Sequence, residues 1–204
     1  MRRLSLLTII LSIIISSVLT GCSQSGPTDS TKETAKQESA KPAENVVKPS
    51  LGEVTFTLPK GWMQMKQQNA GQSKESELLS FIRKIDQSLW ANPGPVGTSN
   101  LPIMDITITH RRSDASRDDL NPKKLGGSLV KQGVLSGLVE ADEIQVTNLP
   151  ATRIVGDSPQ QGRVTFVLLP RNGFLYKWTL RNTKPDDKES EAALDALLAS
   201  ANFK

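Results

Sequence analysis

The sequence predicts an α+β domain with a central antiparallel sheet flanked by helices, and two observations support this fold class. Segments that alternate apolar and polar residues, typical of half-buried strands, recur between residues 54 and 181. Two amphipathic segments with helical spacing interrupt and close that series, one near residue 122 and one after residue 185. The order is strands, a helix, four strands and a helix, which is typical of an α+β protein.

The first strands are predicted from clear alternation. In "VTFTLPKGW" the residues Val54, Phe56 and Leu58 share one face before a Pro-Lys-Gly turn, and "IMDITITHRR" places Ile106 and Ile108 on one face. Four further strands are predicted at Ile144–Asn148, Ala151–Val155, Arg163–Leu169 and Phe174–Arg181. The turn signals between them are Leu149-Pro150, Ser158-Pro159 and the hairpin signal Arg171-Asn172-Gly173.

Two helices are predicted from their start signals and apolar spacing. Asn121-Pro122 opens the first, although glycines within it lower its helix propensity. Its apolar residues are Leu125, Leu129, Val130, Val134 and Leu138. Asp186 and Asp187 favour the start of the second through the helix dipole. Its apolar face is predicted to be Leu194, Leu197 and Leu198 with Phe203.

Residues 73–90 fit two patterns. Four apolar residues recur at helical spacing, namely Leu78, Ile82, Ile85 and Leu89. A second set alternates as in an outer strand, namely Leu79, Phe81, Arg83 and Ile85. We interpret the segment as a helix on its periodicity. Residues 91–101, which are rich in proline and glycine, are predicted to form a loop.

The N-terminal segment has the features of a bacterial secretion signal. Arg2 and Arg3 precede an apolar run of about 16 residues, which is shorter than the roughly 20 residues of a comfortable transmembrane helix. Leu19, Thr20, Gly21 and Cys22 close the run, and Cys22 is the only cysteine of the chain. This motif resembles the lipobox of bacterial lipoproteins.

The resemblance to a lipobox implies that the Cys22 thiolate attacks a lipid carbon to form a thioether. Thr20 and Gly21 are small enough for a peptidase that cuts before Cys22. An uncleaved membrane anchor and an ordinary signal with an incidental cysteine are the competing interpretations. By resemblance to lipoprotein sorting, Ser23 favours the outer membrane of a Gram-negative cell, and a Gram-positive cell would display the protein on the exterior of its membrane.

The lipobox divides the chain into three predicted regions. Residues 1–21 form a lipoprotein signal peptide, and its removal lowers the net charge from +4 to +2. That weak charge gives no reason to expect nucleic acid as a partner. Residues 22–50 are the lipidated cysteine and a disordered tether, because their residues offer almost nothing to bury. Residues 51–204 form a single domain.

The domain resembles the PsbP-like fold in several short segments. These are a first strand that ends in "FTLPKGW", a "GFLYKWTL" strand after a hairpin, and a final helix that closes on "LLASANF". The PsbP-like group includes extrinsic photosystem subunits, a nuclear transport factor and many bacterial lipoproteins of unknown role. The resemblance implies a central antiparallel sheet with flanking helices, and it implies no catalytic residue.

The domain offers few residues with catalytic chemistry. His110, the single histidine, is interpreted as a solvent-facing strand end, because neighbouring strand residues such as Ser113 or Asp114 do not assemble a triad by sequence proximity. One histidine and no free cysteine leave no zinc set. Three aspartates are interpreted as a solvated turn and not as a calcium loop, namely Asp114, Asp118 and Asp119. No catalytic residue, cofactor or metal is therefore predicted.

Two other groups of side chains bear on partners. A basic cluster could bind lipid phosphates or an acidic partner, although the aspartates between its members favour an ordinary mixed surface. It consists of His110, Arg111, Arg112, Arg117, Lys123 and Lys124. The large aromatic residues are expected in the core or on a sheet face, namely Trp62, Trp90, Tyr176 and Trp178, with a partner patch around Trp90 as the alternative.

From these observations we expect a non-enzymatic interaction or accessory protein of the cell envelope. Its expected partners are the membrane, through lipid on Cys22, and an envelope protein. The alternative is a lipoprotein that binds a small ligand or a cation. A photosystem accessory role applies only in a photosynthetic organism. A hydrolase with His110 as its base ranks third.

Overall fold

Seven antiparallel strands form the main sheet of the protein. Its strands in chain order are β3 (Trp62–Gln64), β4 (Ser76–Arg83), β5 (Ile103–His110), β6 (Gly137–Val146), β7 (Leu149–Ser158), β8 (Gly162–Arg171) and β9 (Phe174–Thr183). Their spatial order is β3-β4-β5-β9-β8-β7-β6. This computed structural model describes residues 45–65, 75–91, 101–111 and 117–204. The predicted central antiparallel sheet is confirmed.

Within the described ranges, a small second sheet and three helices accompany the main sheet. The small sheet contains β1 (Val46–Val47), β2 (Val54–Thr57) and β10 (Asn202–Phe203), with β2 in the middle. The helices are α1 (Gln87–Ala91), α2 (Pro122–Lys131) and α3 (Lys188–Ala199). Single turns of 3₁₀-helix cover Lys84–Asp86 and Arg117–Leu120. Because β1 pairs with β2, residues 45–50 belong to the folded part and not to the predicted tether.

Two apolar layers cover the two faces of the main sheet. On the α3 face, α3 and the small sheet pack over the larger core, which includes Phe56, Ile106 and Trp178 with Leu194 of the helix. On the α2 face, a smaller layer packs α2 against β6, β7 and β8. The buried residues of that layer are Leu125, Leu129, Leu135, Ile154 and Leu168. The fold is therefore an α+β domain with helices on both faces.

Helix α2 starts where it was predicted to start and ends earlier. The Asn121 side chain accepts a hydrogen bond from the Lys124 N–H (3.2 Å), which caps the start. At the other end Gly133 adopts a left-handed conformation (φ 72°), and the Val134 N–H bonds to the Leu129 carbonyl. This glycine C-cap stops the helix, so the predicted helical positions Val134 and Leu138 lie beyond it.

Two glycines at the α2 face differ in what surrounds them, and their alanine variants are expected to differ in stability. A Cβ on Gly126 would meet the end of the exposed Leu138 side chain at 2.9 Å, which can move. A Cβ on Gly156 would lie 2.6 Å from the Gly137 carbonyl oxygen, which is backbone, and 2.7 Å from the buried Leu135.

We expect Gly126→Ala to stay within about 1 kcal/mol of the parent protein, because helix propensity offsets the small adjustment. Gly156→Ala should lower the free energy of unfolding by about 1–3 kcal/mol, the usual cost of overpacking. Urea denaturation of both variants measures the difference. Equal stabilities would show that β7 does not pack against Gly137 as described.

The prediction of a helix over residues 73–90 is confirmed only near its end, where Lys84–Asp86 form a 3₁₀ turn and α1 (Gln87–Ala91) begins, and it is wrong for the residues before them. Residues Ser76–Arg83 form β4, which lies between β3 and β5 and is therefore not an outer strand either. Side chains on both of its faces are buried, with Phe81 on the α3 face and Ile82 on the other. Apolar residues on both faces hide the two-residue repeat of a strand and produce helical spacing by coincidence.

Other strand boundaries also differ from the predicted ones. Strand β6 begins at Gly137, seven residues before the predicted start. Leu149 and Pro150 lie in β7, and the turn is made by Thr147 and Asn148, both with left-handed φ values (48° and 68°). Phe203 lies in β10 and not in the final helix.

The predicted hairpin at Arg171-Asn172-Gly173 is confirmed. Asn172 (φ 49°) and Gly173 (φ 78°) form a two-residue turn between Arg171 and Phe174, which pair across β8 and β9. Both central residues need positive φ in such a turn, and asparagine and glycine adopt it at low cost.

Helix α3 starts after Asp187, as the two aspartates predicted. The Asp187 carboxylate accepts a hydrogen bond from the Ser190 N–H and so caps the first turn of the helix.

Candidate functional site

The predicted lipobox lies outside the described residues. It consists of Leu19, Thr20, Gly21 and Cys22, and Ser23 follows it. Lipidation of Cys22 therefore stays a prediction. Within the described ranges, no helix is both long and apolar enough to span a bilayer.

His110 lies at the solvent-facing end of β5, as interpreted from the sequence. Its side chain is exposed, and its ring lies 4.5 Å from the Phe174 ring across the β5–β9 pair. Ser113 and Asp114, the residues considered as its partners, lie outside the described residues. The described part of the chain therefore gives His110 an aromatic neighbour and no catalytic arrangement.

The remaining charged candidates are spread over different elements. Asp118 and Asp119 are exposed in the 3₁₀ turn before α2, and Lys123 and Lys124 are exposed in its first turn. The side chains of Arg112 and Arg117 lie outside the described residues, so the basic cluster stays a prediction. Among the described side chains, no three of His, Cys, Asp or Glu come together as metal ligands.

A polar network crosses β4, β5 and β9 on the α2 face of the sheet. Asp105 accepts a hydrogen bond from the Ser80 hydroxyl (2.6 Å) on one oxygen and pairs with the Arg181 guanidinium (2.8 Å) through the other. Burial lowers the pKa of nearby Lys177 below its usual value, while the Asp105 carboxylate opposes that shift. Each carboxylate oxygen accepts one of these hydrogen bonds, so this network joins the three strands.

The segment after β4 exposes large apolar side chains, and we call Ile85, Leu89 and Trp90 the apolar turn. Their exposed fractions are 74%, 52% and 38%. Beneath them, buried Asp86 pairs with the Arg83 guanidinium at 2.6 Å, which fixes the 3₁₀ turn onto the end of the strand. The Arg83–Asp86 pair therefore stabilises the segment that exposes these three apolar side chains.

Three of the four large aromatic residues expected inside the protein are buried. Trp62, Tyr176 and Trp178 are core residues on the α3 face, as predicted. Trp90 is exposed, so its assignment to the core or a sheet face is wrong, and the alternative of a surface patch fits its position. Ile85 and Leu89 were not recognised as surface residues, because their spacing was interpreted only as a helical repeat.

Two cavities lie on opposite faces of the sheet near strand β6. On the α3 face, a groove of about 510 Å³ lies between the β6–β7 hairpin and the C-terminal end of α3. It is lined by Ile144, Val146, Leu198, Gln145, Arg153 and Asp195. On the α2 face, a smaller cavity of about 160 Å³ is lined by residues that include Glu143 and Thr152.

One arginine organises the polar side of the larger groove. The Arg153 guanidinium pairs with Asp195 of α3 at 3.0 Å and approaches Glu140 of β6 at 3.7 Å. Two carboxylates around one guanidinium leave this end of the groove net negative, so the arginine is not a free anion site. The sequence did not predict this groove. The predicted strand began at Ile144, so Glu140 was not placed on the strand that borders the groove.

The arrangement of an antiparallel sheet with α3 on one face and α2 on the other is the PsbP-like fold. The chain is similar to cyanobacterial PsbP (CyanoP) from Synechocystis sp. PCC 6803, with a TM-score of 0.55 and 15% identity. That similarity covers 83% of this chain and 98% of CyanoP. At this identity it establishes the fold and transfers no functional residue.

Other comparisons are weaker. LpqN, involved in cell envelope biogenesis of Mycobacterium tuberculosis, matches with a TM-score of 0.46 and 12% identity, over 78% of this chain and 89% of LpqN. A scan against protein-family models and a search of curated protein sequences each gave no match. The resemblance to the PsbP-like fold, first drawn from short sequence segments, is thus confirmed by structure alone.

Proposed function

We propose that this protein is a non-enzymatic interaction or accessory protein of the cell envelope, held at a membrane through lipid on Cys22. The observation that carries the proposal is the apolar turn. Three large apolar side chains exposed on one short segment are uncommon away from binding surfaces. Tryptophan is also enriched among the residues that dominate the energy of protein interfaces.

The N-terminal sequence supports the location. The lipobox places the attachment point at Cys22, and the predicted tether begins directly after it. A flexible chain of about 25 residues has a typical reach of roughly 30 Å, which gives the domain access to partners near the membrane surface. The membrane is the outer membrane in a Gram-negative cell and the cell membrane, on its exterior, in a Gram-positive one.

The chemistry of the described side chains supports a role without catalysis. The Asp105 carboxylate accepts a hydrogen bond from Ser80 on one oxygen and from Arg181 on the other, which joins three strands of the sheet. His110 stands at an exposed strand end beside Phe174. Binding of a small ligand or cation, the alternative from the sequence, stays a prediction that a thermal-shift panel of metals and metabolites would test.

Loss of the apolar turn is expected to reduce partner recovery at least tenfold. The variant Leu89→Ser with Trp90→Ser removes two interface side chains, and about 1.4 kcal/mol of lost binding energy corresponds to a tenfold change. The measurement is quantitative recovery of crosslinked partners with the full lipoprotein from intact cells. Because both side chains are exposed, the free energy of unfolding should change by no more than about 0.5 kcal/mol.

The matched control is Val46→Ser, which removes an apolar side chain of similar exposure (54%) from β1. This variant should recover the partners at the level of the unmodified protein. Equal loss in the control would mean that general surface hydrophobicity, and not the apolar turn, drives recovery. Failure to recover any partner reproducibly with the unmodified protein would count against the proposed function itself.

A further inference from the structure

The apolar turn lies close to the point where the predicted tether enters the domain. The carbonyl oxygen of Asn45, the first described residue, accepts a hydrogen bond from the Leu58 N–H at 2.9 Å. Three residues later, the Gly61 carbonyl oxygen accepts the Lys84 N–H at 2.7 Å. Because three residues of extended chain span at most roughly 11 Å, the backbone at residue 45 lies within roughly 20 Å of that at residue 84. Ile85, the first residue of the apolar turn, follows directly.

Exposed lysines border the apolar turn, and little acid lies around it. Lys60 is exposed in the turn before β3, and Lys84 is exposed directly after β4. Residues 58–65 contain no acidic residue. Residues 79–91 contain only Asp86, which is buried in the ion pair beneath the apolar turn. The surface around the three apolar side chains is therefore positively charged.

The combination of these side chains indicates a lipid surface as the occupant. Tryptophan is enriched at the level of the lipid headgroups, where one end of its ring system is wet and the other is apolar. Leucine and isoleucine enter the boundary between headgroups and acyl chains, as they do in interfacial helices. Lysine ammonium groups beside them are attracted to anionic headgroups. A short segment with all three properties fits the surface of an anionic bilayer.

The length of the predicted tether favours the bilayer that holds Cys22. The typical reach of the tether is roughly 30 Å. A compact domain of about 160 residues has a radius of gyration of about 15 Å, so its diameter is comparable with that reach. A surface near residue 45 can therefore contact the bilayer without the tether passing around the domain. The apolar turn meets this condition.

We propose that the apolar turn docks onto the bilayer that holds Cys22. Its three apolar side chains enter the interfacial region, and Lys60 and Lys84 contact anionic headgroups. This inference rests on the proposed function, because it takes the lipid on Cys22 as the point of attachment. It adds a second contact, made by the folded domain itself, which fixes the orientation of the domain on the membrane.

Trp90 reports docking directly, because the other two tryptophans are shielded. Trp62 is 2% exposed and Trp178 is 1% exposed, against 38% for Trp90. The test uses the full lipoprotein, purified from membranes and reconstituted into vesicles of phosphatidylcholine and phosphatidylglycerol with brominated acyl chains. We expect bromine to quench Trp90 relative to vesicles without bromine. The variant Trp90→Phe should lose this quenching.

The apolar contribution is tested with the reporter left in place. The double variant Ile85→Ser with Leu89→Ser keeps Trp90 and should reduce its quenching at least fivefold. The matched control is Val139→Ser, which removes an apolar side chain that is 54% exposed on β6. This control should be quenched as the parent protein is. All three side chains are exposed, so the variants are expected to fold, and urea denaturation checks this.

The charge contribution is tested with the lipid composition. Quenching should be several-fold stronger in vesicles with phosphatidylglycerol than in phosphatidylcholine alone, and raised salt should remove the difference. The double variant Lys60→Gln with Lys84→Gln should also remove it. If this variant responds to phosphatidylglycerol as the parent does, the contact of these lysines with headgroups is wrong.

Two results would overturn docking itself, namely no quenching of Trp90 in the parent protein and full quenching in the Ile85 and Leu89 double variant. In cells, loss of docking and loss of a direct protein contact would both lower partner recovery, so the vesicles separate them. No quenching, with partner recovery that still depends on the apolar turn, would overturn this inference and leave the proposed function standing. Quenching without any recoverable partner would support docking and count against the proposed function.

Discussion

Cys22→Ser is expected to abolish lipid attachment completely and to leave the signal segment uncut before residue 22. The thioether requires a thiolate nucleophile, and a serine hydroxyl is a far weaker one at neutral pH. Two or three acyl chains hold a protein firmly at a membrane, whereas one holds it only marginally. The measurements are incorporation of radioactive fatty acid and the mass of the intact protein, followed by membrane fractionation.

The matched control is Ser25→Ala, a change in the predicted tether that leaves the lipobox intact. It should label, mature and fractionate as the unmodified protein does. Two outcomes would contradict the lipoprotein assignment. A Cys22→Ser protein that is cut normally, with no lipid on the unmodified protein, would indicate an ordinary signal peptide. An unmodified protein that keeps residues 1–21 would indicate a permanent membrane anchor.

Glu77→Ala is expected to lower the free energy of unfolding by about 2–4 kcal/mol, which is unusual for a charged residue. Glu77 lies on β4 and is only 4% exposed. Its carboxylate accepts the backbone N–H of Ser50 at 3.1 Å and that of Leu51 at 2.6 Å. Hydrogen bonds to a charged acceptor are strong, and the variant leaves both donors and a buried space behind.

The Tyr176 hydroxyl binds the same N-terminal segment at Glu53, two residues after Leu51. It accepts the Glu53 N–H at 3.3 Å, and burial raises the pKa of the phenol, so it stays protonated well past neutral pH. Gly52 passes the ring with a left-handed φ of 73°, and a Cβ there would lie 2.6 Å from the hydroxyl oxygen. Glu77 and Tyr176 therefore bind the backbone of the segment where the predicted tether joins the domain.

Urea denaturation measures the loss of stability in Glu77→Ala, and hydrogen exchange at residues 50–57 locates it. The control Glu77→Gln keeps one acceptor oxygen and should lose about half as much, because one of the two N–H groups keeps its bond. If Glu77→Ala unfolds like the parent while residues 50–57 remain protected, other contacts hold the N-terminal segment and this role of Glu77 is wrong.

Elements whose residues alternate between apolar and polar were predicted well. Val54, Phe56 and Leu58 alternate because the other face of β2 is less buried, and Ile106 and Ile108 alternate with polar residues along β5. The Asn172-Gly173 turn was predicted because positive φ restricts the choice of residue. In each case one local physical requirement selects the residues, so the sequence shows it.

Elements set by distant contacts were not predicted. Strand β4 was interpreted as a helix because apolar side chains are buried on both of its faces, which removes the alternation. Trp90 was expected in the core or on a sheet face by its aromatic character, but it is exposed together with Ile85 and Leu89. The groove beside β6 depends on where α3 ends relative to a hairpin far away in sequence.

The sequence alone therefore determined the fold class, the order of the elements from β5 to α3 and the expectation of lipid on Cys22, because periodicity, turn chemistry and a short recognition motif are local properties. Tertiary structure decided which strands lie inside the sheet and which lie at its edge. It also decided which apolar side chains remain exposed and where Glu77 finds its two partners. Those features depend on residues brought together from distant parts of the chain, and spacing along the sequence does not record them.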